Sequence, residues 1–335
     1  MSPPRVYLAI GPDLVGELAL DEELPRLAGV AEVERWPGPG APTPEAVAAA
    51  LRAAPVVVTG WDTPPLAPLA DWTPDGLAVR LVAHTAGTVR RLLPVAALER
   101  GLRVTHANES LAEAVAEFTV GAIIMARRRA FHSFARYREG RPRLPLAGMR
   151  ELGGSTVGVI GAGSIGRRVL RLLAPFGVTL LLHDPYCPPA TAAEYAAELV
   201  ALPDLLRRSD VVTLHAPVTD ETRGMLGAAE FAAMKDGALF VNTARGRLLD
   251  ADALLAELRT GRIAALLDVT DPTEPLPPDS PFFALENCVV LPHMAALTVE
   301  ARRRQSRITV DEILRFLRGE PLRHEITRAR WETMA

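Results

Sequence analysis

Short apolar runs of strand length alternate along the chain with Ala- and Leu-rich stretches. Val6 to Ile10, Val56 to Thr59 and Leu81 to Ala83 are separated by segments such as Pro44 to Ala54, a rhythm of strand, helix, strand. That rhythm predicts a parallel sheet wrapped on both faces. It restarts after Gly153 in a more regular set, with strands expected at Thr156 to Ile160, Val178 to His183, Val211 to His215, Ala238 to Asn242, Ile263 to Val269 and Cys288 to Leu291.

Between the two sets, Leu111, Ala114, Val115, Phe118 and Ile123 recur near helical spacing with no intervening proline. Ser110 to Arg129 therefore reads as one long helix joining two domains. After His293, Val310, Ile313, Leu314 and Leu317 share one face of another helix, expected to pack back onto the first domain and make it discontinuous. No internal repeat is evident, and the Pro-Gly stretch Pro37 to Pro44 reads as a loop.

A length of 335 residues suits two domains of roughly 150 residues each. The 37 basic and 40 acidic side chains leave a net charge of −3, which provides no general field for a nucleic acid or an anionic membrane. A small-molecule partner is expected. Two cysteines, Cys187 and Cys288, cannot build a disulfide framework or a four-sulfur zinc site, and a reducing cytoplasm fits them. The opening residues lack a leader pattern, and no apolar run approaches the 18 residues of a membrane helix. The histidines His84, His106, His132, His183, His215 and His324 show no metal-ligand spacing, so no metal is expected. The runs Arg127 to Arg129 and Arg302 to Arg304 read as solvated helix faces.

Gly161-Ala162-Gly163-Ser164-Ile165-Gly166 follows an apolar strand and opens a helix, the context a dinucleotide-binding turn requires. Gly161 permits the tight turn, Gly163 lets backbone amides such as those near Ser164 and Ile165 approach a pyrophosphate, and Gly166 lets helix and strand pack closely. Asp184 stands 18 residues beyond the last glycine, at the end of the next strand, where a carboxylate can accept the ribose hydroxyls of adenosine. A carboxylate about 4 Å from a 2'-phosphate would cost about 4 kcal/mol at an effective dielectric of 20, roughly a thousandfold in affinity. NAD is therefore expected over NADP.

Polar residues then appear just past apolar strands, where open parallel sheets place their ligands. Asn242-Thr243-Ala244-Arg245-Gly246, Asp268-Val269 with Glu274-Pro275, and Pro292-His293 occur in that order, with supporting matches at Ala114 to Glu117 and at His215-Ala216-Pro217-Val218-Thr219 with Thr222-Arg223. Together they resemble the D-isomer-specific 2-hydroxyacid dehydrogenases over about residues 80 to 305. The resemblance implies a catalytic set of Arg245, Glu274 and His293, with Pro217, Thr222, Thr243, Ala244, Arg245, Asp268 and His293 lining the cofactor. The chemistry asks for the same residue types. Reducing a 2-oxoacid needs a hydride from nicotinamide and a proton for the carbonyl oxygen, and a histidine, ordinarily titrating near pH 6.5, can deliver it. Glu274 is expected to hydrogen-bond the far ring nitrogen and favour the imidazolium, and Arg245 to fork the substrate carboxylate. Asp268 reads as a nicotinamide-side contact or, alternatively, as a loop hydrogen-bond acceptor.

In the family, a turn after an early strand, often Gly-Val-Asp, presents amides to the substrate carboxylate. Here it reads His84-Thr85-Ala86-Gly87-Thr88-Val89-Arg90, without the acid, and Ala86, Gly87 and Thr88 are the expected substrate contacts. Arg90 could favour a second negative charge on the substrate, or be a surface arginine. Glu274 stands where the similar formate dehydrogenases carry a glutamine, which disfavours formate oxidation, and the chain ends without room for the regulatory domain of some phosphoglycerate dehydrogenases. The resemblance implies a homodimer. Two other readings stay open: an NAD-sensing binding protein like the C-terminal-binding-protein corepressors, and a related NAD-dependent hydrolase. The expected fold is α/β, with two doubly wound parallel-sheet domains: a Rossmann NAD-binding domain at 110–296, inserted in a flavodoxin-like substrate domain built from 1–109 and 297–335, with the active site in their cleft.

Overall fold

A computed structural model describes residues 3–142 and 144–334. The chain divides into two compact units, one built from the residues up to Leu111 together with those from Leu297 on, the other from Ala112–Ala296.

The first unit holds a five-stranded, all-parallel sheet of β1 (Arg5–Ala9), β2 (Glu32–Arg35), β3 (Val56–Thr59), β4 (Leu81–His84) and β5 (Arg103–His106), ordered β2-β1-β3-β4-β5. This is the flavodoxin-like order. Alternate residues supply the two cores, as a two-residue side-chain period requires. Val6, Leu8, Val58 and Ala83 meet Leu14, Leu18, Val310 and Ile313 on one face, whereas Val57, Val82 and Val104 meet Val47, Leu51, Trp72 and Ile326 on the other. The helix Val299–Leu317 thus packs within this unit; Thr298 caps it by accepting the Ala301 N–H at 3.0 Å. A second tail helix, Arg328–Thr333, lay outside the sequence reading.

The second unit holds β6 (Thr156–Ile160), β7 (Thr179–His183), β8 (Glu198–Leu199), β9 (Val211–Leu214), β10 (Leu239–Asn242), β11 (Ala264–Leu267) and β12 (Cys288–Val290), all parallel in the order β12-β11-β10-β9-β6-β7-β8. Strand order reverses between β6 and β9, so the carboxyl ends there open the crevice in which doubly wound sheets hold ligands. Six of the seven strands coincide with the expected runs to within two residues at each end.

Two expectations are corrected. Ser110 to Arg129 is not one helix: a 3-10 turn at Asn108–Leu111 precedes the helix Ala112–Arg127, and Arg129, at φ +51, starts a separate helix, Ala130–Arg138. A non-glycine takes the left-handed position that usually advertises a helix end by glycine, so the break left no mark in the sequence. The arginine runs are also more engaged than solvated faces. Arg127 donates from Nε and Nη2 to the Glu151 carbonyl at 3.0 and 2.7 Å, and Arg302 lies 4.5 Å over the Trp61 ring while pairing with Glu17 at 2.7 Å. Among the described residues no helix is long and apolar enough to cross a membrane.

Candidate active site

The glycine turn joins β6 to the helix Ser164–Leu173, whose Val169, Leu170 and Leu173 are buried. Gly161 sits at φ +97, and a Cβ there would lie 2.8 Å from the Ala216 nitrogen and the His215 carbonyl. At Gly166 a Cβ would meet the Gly161 carbonyl oxygen at 2.0 Å, so only glycine lets strand and helix approach this closely. Gly163 differs: nothing lies within 4 Å of its added Cβ, and no side chain caps the helix it begins. Open space in front of uncapped amides is what a pyrophosphate requires, so the residues present fit the dinucleotide. Ser164 shares its hydroxyl with Arg168, which donates from Nη1 at 2.6 Å.

Asp184, just past β7, accepts the Ala162 N–H at 2.7 Å through Oδ2 and the Tyr186 N–H at 2.9 Å through Oδ1. The carboxylate is thereby locked to the glycine turn, and each oxygen keeps a second lone pair for a ribose hydroxyl. Tyr186 also donates its hydroxyl to Glu221 at 2.6 Å. Thr222 donates to the Pro217 carbonyl at 2.6 Å and accepts the Thr219 N–H at 2.8 Å, which gathers Pro217 and Thr222 into one turn after β9. His215 is buried there. Burial pushes its pKa down to about 3, Nε2 contacts the Thr213 hydroxyl at 2.9 Å, and Nδ1 has no partner among the described residues.

At the end of β10 the buried Asn242 side chain donates to the Arg245 carbonyl and accepts the Ala244 N–H, each at 3.0 Å, fixing the loop that carries Arg245. Thr243 spends its hydroxyl on Thr119 at 2.9 Å. A Cβ at Gly246 would come within 2.2 Å of the Thr270 carbonyl carbon, so the β10 and β11 loops touch main chain to main chain. Arg245 donates to the Ala244 carbonyl at 2.6 Å. Burial lowers its pKa, and the charge of Glu274 opposes that shift, which places the two groups within electrostatic reach of each other.

Glu274 and His293 meet directly. Oε1 accepts from Nδ1 of His293 at 2.5 Å, while Oε2 accepts the Thr270 N–H at 3.0 Å. Both side chains keep partial exposure, 34% for Glu274 and 46% for His293. His293 itself adopts φ +55, and Asp268, 1% exposed, accepts the N–H groups of Met294 and Ala295 at 2.9 Å each. Burial raises the Asp268 pKa, against the pull of those two amides and of His293. The contacts observed for Asp268 are thus loop contacts. Sequence reasoning gave no role to Asn242, Thr119 or Glu221, whose signal is only a polar residue type beside an apolar run.

In the first unit, the turn after β4 is held by Gln305, which donates to the Thr85 carbonyl at 2.9 Å, and by the Ala107 N–H to Ala86 carbonyl bond at 3.0 Å. Ala86, Gly87 and Thr88 are half-buried. A Cβ at Gly87 would sit 3.1 Å from Asn108 Oδ1. Arg90 donates from Nε and Nη2 to the Trp331 carbonyl at 3.1 and 2.7 Å, anchoring the tail helix.

A family model described as the D-isomer specific 2-hydroxyacid dehydrogenase NAD-binding domain matches residues 120–295. The chain is 39% identical over 228 residues to the D-3-phosphoglycerate dehydrogenase of Methanocaldococcus jannaschii, covering 67% of this chain and 43% of that protein. It is 38% identical over 251 residues to the glyoxylate reductase of Aeropyrum pernix, covering 72% and 74% respectively. It thus spans less than half the length of the first relative and about three-quarters of the second. Holo D-mandelate dehydrogenase of Rhodotorula graminis has the same fold, with a TM-score of 0.81 at 26% identity over 98% of this chain and 99% of that one. Matched by that family model and by these relatives, the chain belongs to the NAD-dependent D-isomer specific 2-hydroxyacid dehydrogenases.

Proposed function

We propose that the protein interconverts a D-2-hydroxyacid and its 2-oxoacid, with His293 as acid and base, Glu274 as its orienting partner and Arg245 as the carboxylate-binding group. The observation that carries this reading is the 2.5 Å contact between Glu274 Oε1 and His293 Nδ1 at the carboxyl ends of neighbouring strands. A ring that donates its Nδ1–H to a carboxylate has Nε2 left to exchange a proton with substrate. In reduction, Nε2 gives that proton to the carbonyl oxygen; in oxidation it takes the hydroxyl proton back.

Bound NAD(H) supplies or accepts the hydride at the substrate's second carbon. Gly161, Gly163, Ser164, Ile165 and Gly166 would hold its pyrophosphate, Asp184 its adenosine ribose, and Pro217, Thr222, Thr243 and Ala244 the rest of its path, with Asp268 positioning the loop of His293. Arg245 supports the assignment because, among the described residues, it forms no ion pair, which leaves its fork for an incoming carboxylate. Ala86, Gly87 and Thr88 are proposed to add backbone contacts to the substrate. A cytoplasmic homodimer completes the reading; exposed Phe134 and Tyr137 offer apolar surface for a subunit contact.

NADH oxidation against glyoxylate, hydroxypyruvate, pyruvate, phenylpyruvate and 2-oxoglutarate, with His293→Ala as control, tests the proposal. Turnover that disappears in the control is the expected result. Tight NADH binding without turnover on any of the five would replace the enzyme with a binding protein.

A further inference from the structure

The buried face of the helix Val299–Leu317 carries polar side chains where an apolar stripe would pack as well. Gln305, Ser306, Thr309 and Glu312 are each at most 2% exposed. Burying a polar group costs free energy unless it is hydrogen-bonded, so the partner of each side chain matters. Ser306 donates to the Leu18 carbonyl at 2.7 Å, Thr309 to the Gln305 carbonyl at 2.9 Å, and Glu312 accepts the Arg323 and His324 N–H groups at 2.9 and 3.0 Å. Those three tie the helix to itself and to its surroundings. Of the four, it is Gln305 that reaches the turn after β4, where Nε2 donates to the Thr85 carbonyl at 2.9 Å.

The orientation of that amide is set from its other end. Oε1 accepts from Arg302 Nη1 at 2.9 Å, and the Arg302 guanidinium is itself held by Glu17 at 2.7 Å and by the Trp61 ring at 4.5 Å. An amide with a guanidinium donor at its oxygen has its nitrogen directed at Thr85, so the side chain cannot flip without losing both bonds. Thr85 is pinned at its other groups as well: its N–H and its hydroxyl both donate to the Thr59 carbonyl, at 2.8 and 3.0 Å.

The peptide plane carries this order into the turn. In a trans peptide the C=O of Thr85 and the N–H of Ala86 point opposite ways, so the bond to Gln305 aims the Ala86 amide away from the helix. The Ala107 N–H acts likewise on the next peptide: it holds the Ala86 carbonyl at 3.0 Å and so aims the N–H of Gly87. Among the described residues the N–H groups of Ala86, Gly87 and Thr88 meet no acceptor, and all three residues are half-buried. Successive amides turned out of a loop form a concave donor for an anion.

We infer that Gln305 is a positioning residue for the 2-oxoacid: through the Thr85 carbonyl it fixes the direction of the Ala86 amide that receives the substrate carboxylate. This rests on the proposed role of Ala86, Gly87 and Thr88 as substrate contacts. Arg302 acts one step behind, by holding Gln305. A leucine or methionine at 305 could fill the same volume but would leave the buried Thr85 carbonyl unpaired and the Ala86 peptide free to rotate.

Two variants separate aim from packing. Gln305→Leu removes both hydrogen bonds at nearly constant volume, whereas Gln305→Glu keeps the acceptor for Arg302, which holds the carboxylate ionised, and removes only the donor to Thr85. In the NADH complex of each, amide exchange of the segment 84–90 should speed up by about tenfold while the strands of the second unit exchange as in wild type. Calorimetric affinity for oxamate, a 2-oxoacid analogue that does not accept the hydride, should fall by about tenfold. With whichever 2-oxoacid the enzyme reduces, the loss should lie in KM, with kcat within about twofold and NADH affinity unchanged, because the amide serves ground and transition states alike. Exchange as slow as wild type in both variants overturns the assignment. So does full oxamate affinity alongside fast exchange, or a loss confined to Gln305→Leu, which would be a packing defect. Wild-type protein that neither binds oxamate nor reduces a 2-oxoacid removes the proposed function instead, and the exchange rates still decide whether Gln305 aims the turn.

Discussion

Asp268 fixes the backbone that carries His293. Its two oxygens accept the N–H groups of the next two residues, Met294 and Ala295, and His293 is held at φ +55, a conformation uncommon for a residue with a Cβ. Asp268→Asn turns one acceptor into a donor facing an amide N–H. Leaving that buried group unpaired costs about 1–3 kcal/mol, and if half of it falls on the placement of His293, kcat drops by about 2- to 12-fold. Steady-state kinetics should show this loss in kcat with NADH affinity nearly unchanged; an equal loss in both would mean that Asp268 serves the cofactor directly.

Glu274→Gln keeps the shape of the pair with His293 but removes the charge. An amide can still accept from Nδ1 while giving the imidazolium no ionic partner, so kcat should fall by about tenfold, less than the roughly 10²–10⁴-fold range expected for removing the proposed proton donor in His293→Ala. Comparing kcat for the two variants across pH 5 to 9 checks the order of the effects. A Glu274→Gln enzyme as active as wild type would leave the 2.5 Å contact without a catalytic part.

The glycines of the dinucleotide turn should separate into stability and binding positions. Gly166→Ala places a Cβ 2.0 Å from the Gly161 carbonyl oxygen, an overlap that the turn can relieve only by moving, at a cost of about 1–3 kcal/mol or more. Gly163→Ala points its methyl into open space, so the melting temperature of the free protein should hold while NADH affinity falls. Melting curves with and without NADH distinguish the two.

Acid should weaken both units. His84 in the first and His215 in the second are buried as neutral rings, each with its pKa pushed down to about 3, His84 by burial first and by the nearby His106 second. An unfolded histidine titrates near pH 6.5, so below that pH the unfolded chain takes up protons that the folded one refuses. The stabilisation is full above pH 6.5 and drains away as pH falls toward 3, by about 1.4 kcal/mol per pH unit for each ring. Denaturant midpoints measured from pH 7 to 5 should fall, and His84→Gln should flatten the slope.

The strands that carry chemistry were legible because they are buried on both faces. Val157, Val211, Val241 and Leu266 stand in continuous apolar runs, and a ligand-bearing sheet places its polar groups directly after such runs. Edge strands were not legible. Glu32–Arg35 and Glu198–Leu199 are short and largely polar, and their main reason for being strands is the neighbour they pair with. The same limit hid the site's supports. Asn242 and Thr119 act through hydrogen bonds to main chain or to a residue 124 positions away, and no local pattern encodes such partners. Arg245, Glu274 and His293 stand out as candidates in the sequence because each follows a strand; the Asp268 clamp needs coordinates.

β12 leads into the His293 loop, and its first residue is Cys288, whose thiol burial pushes up to about 12. At pH 7 the reactive thiolate is correspondingly scarce. Peroxide and iodoacetamide therefore have little to attack on the strand that leads to His293. On the proposed oxidoreductase reading, turnover should survive alkylating treatment under native conditions.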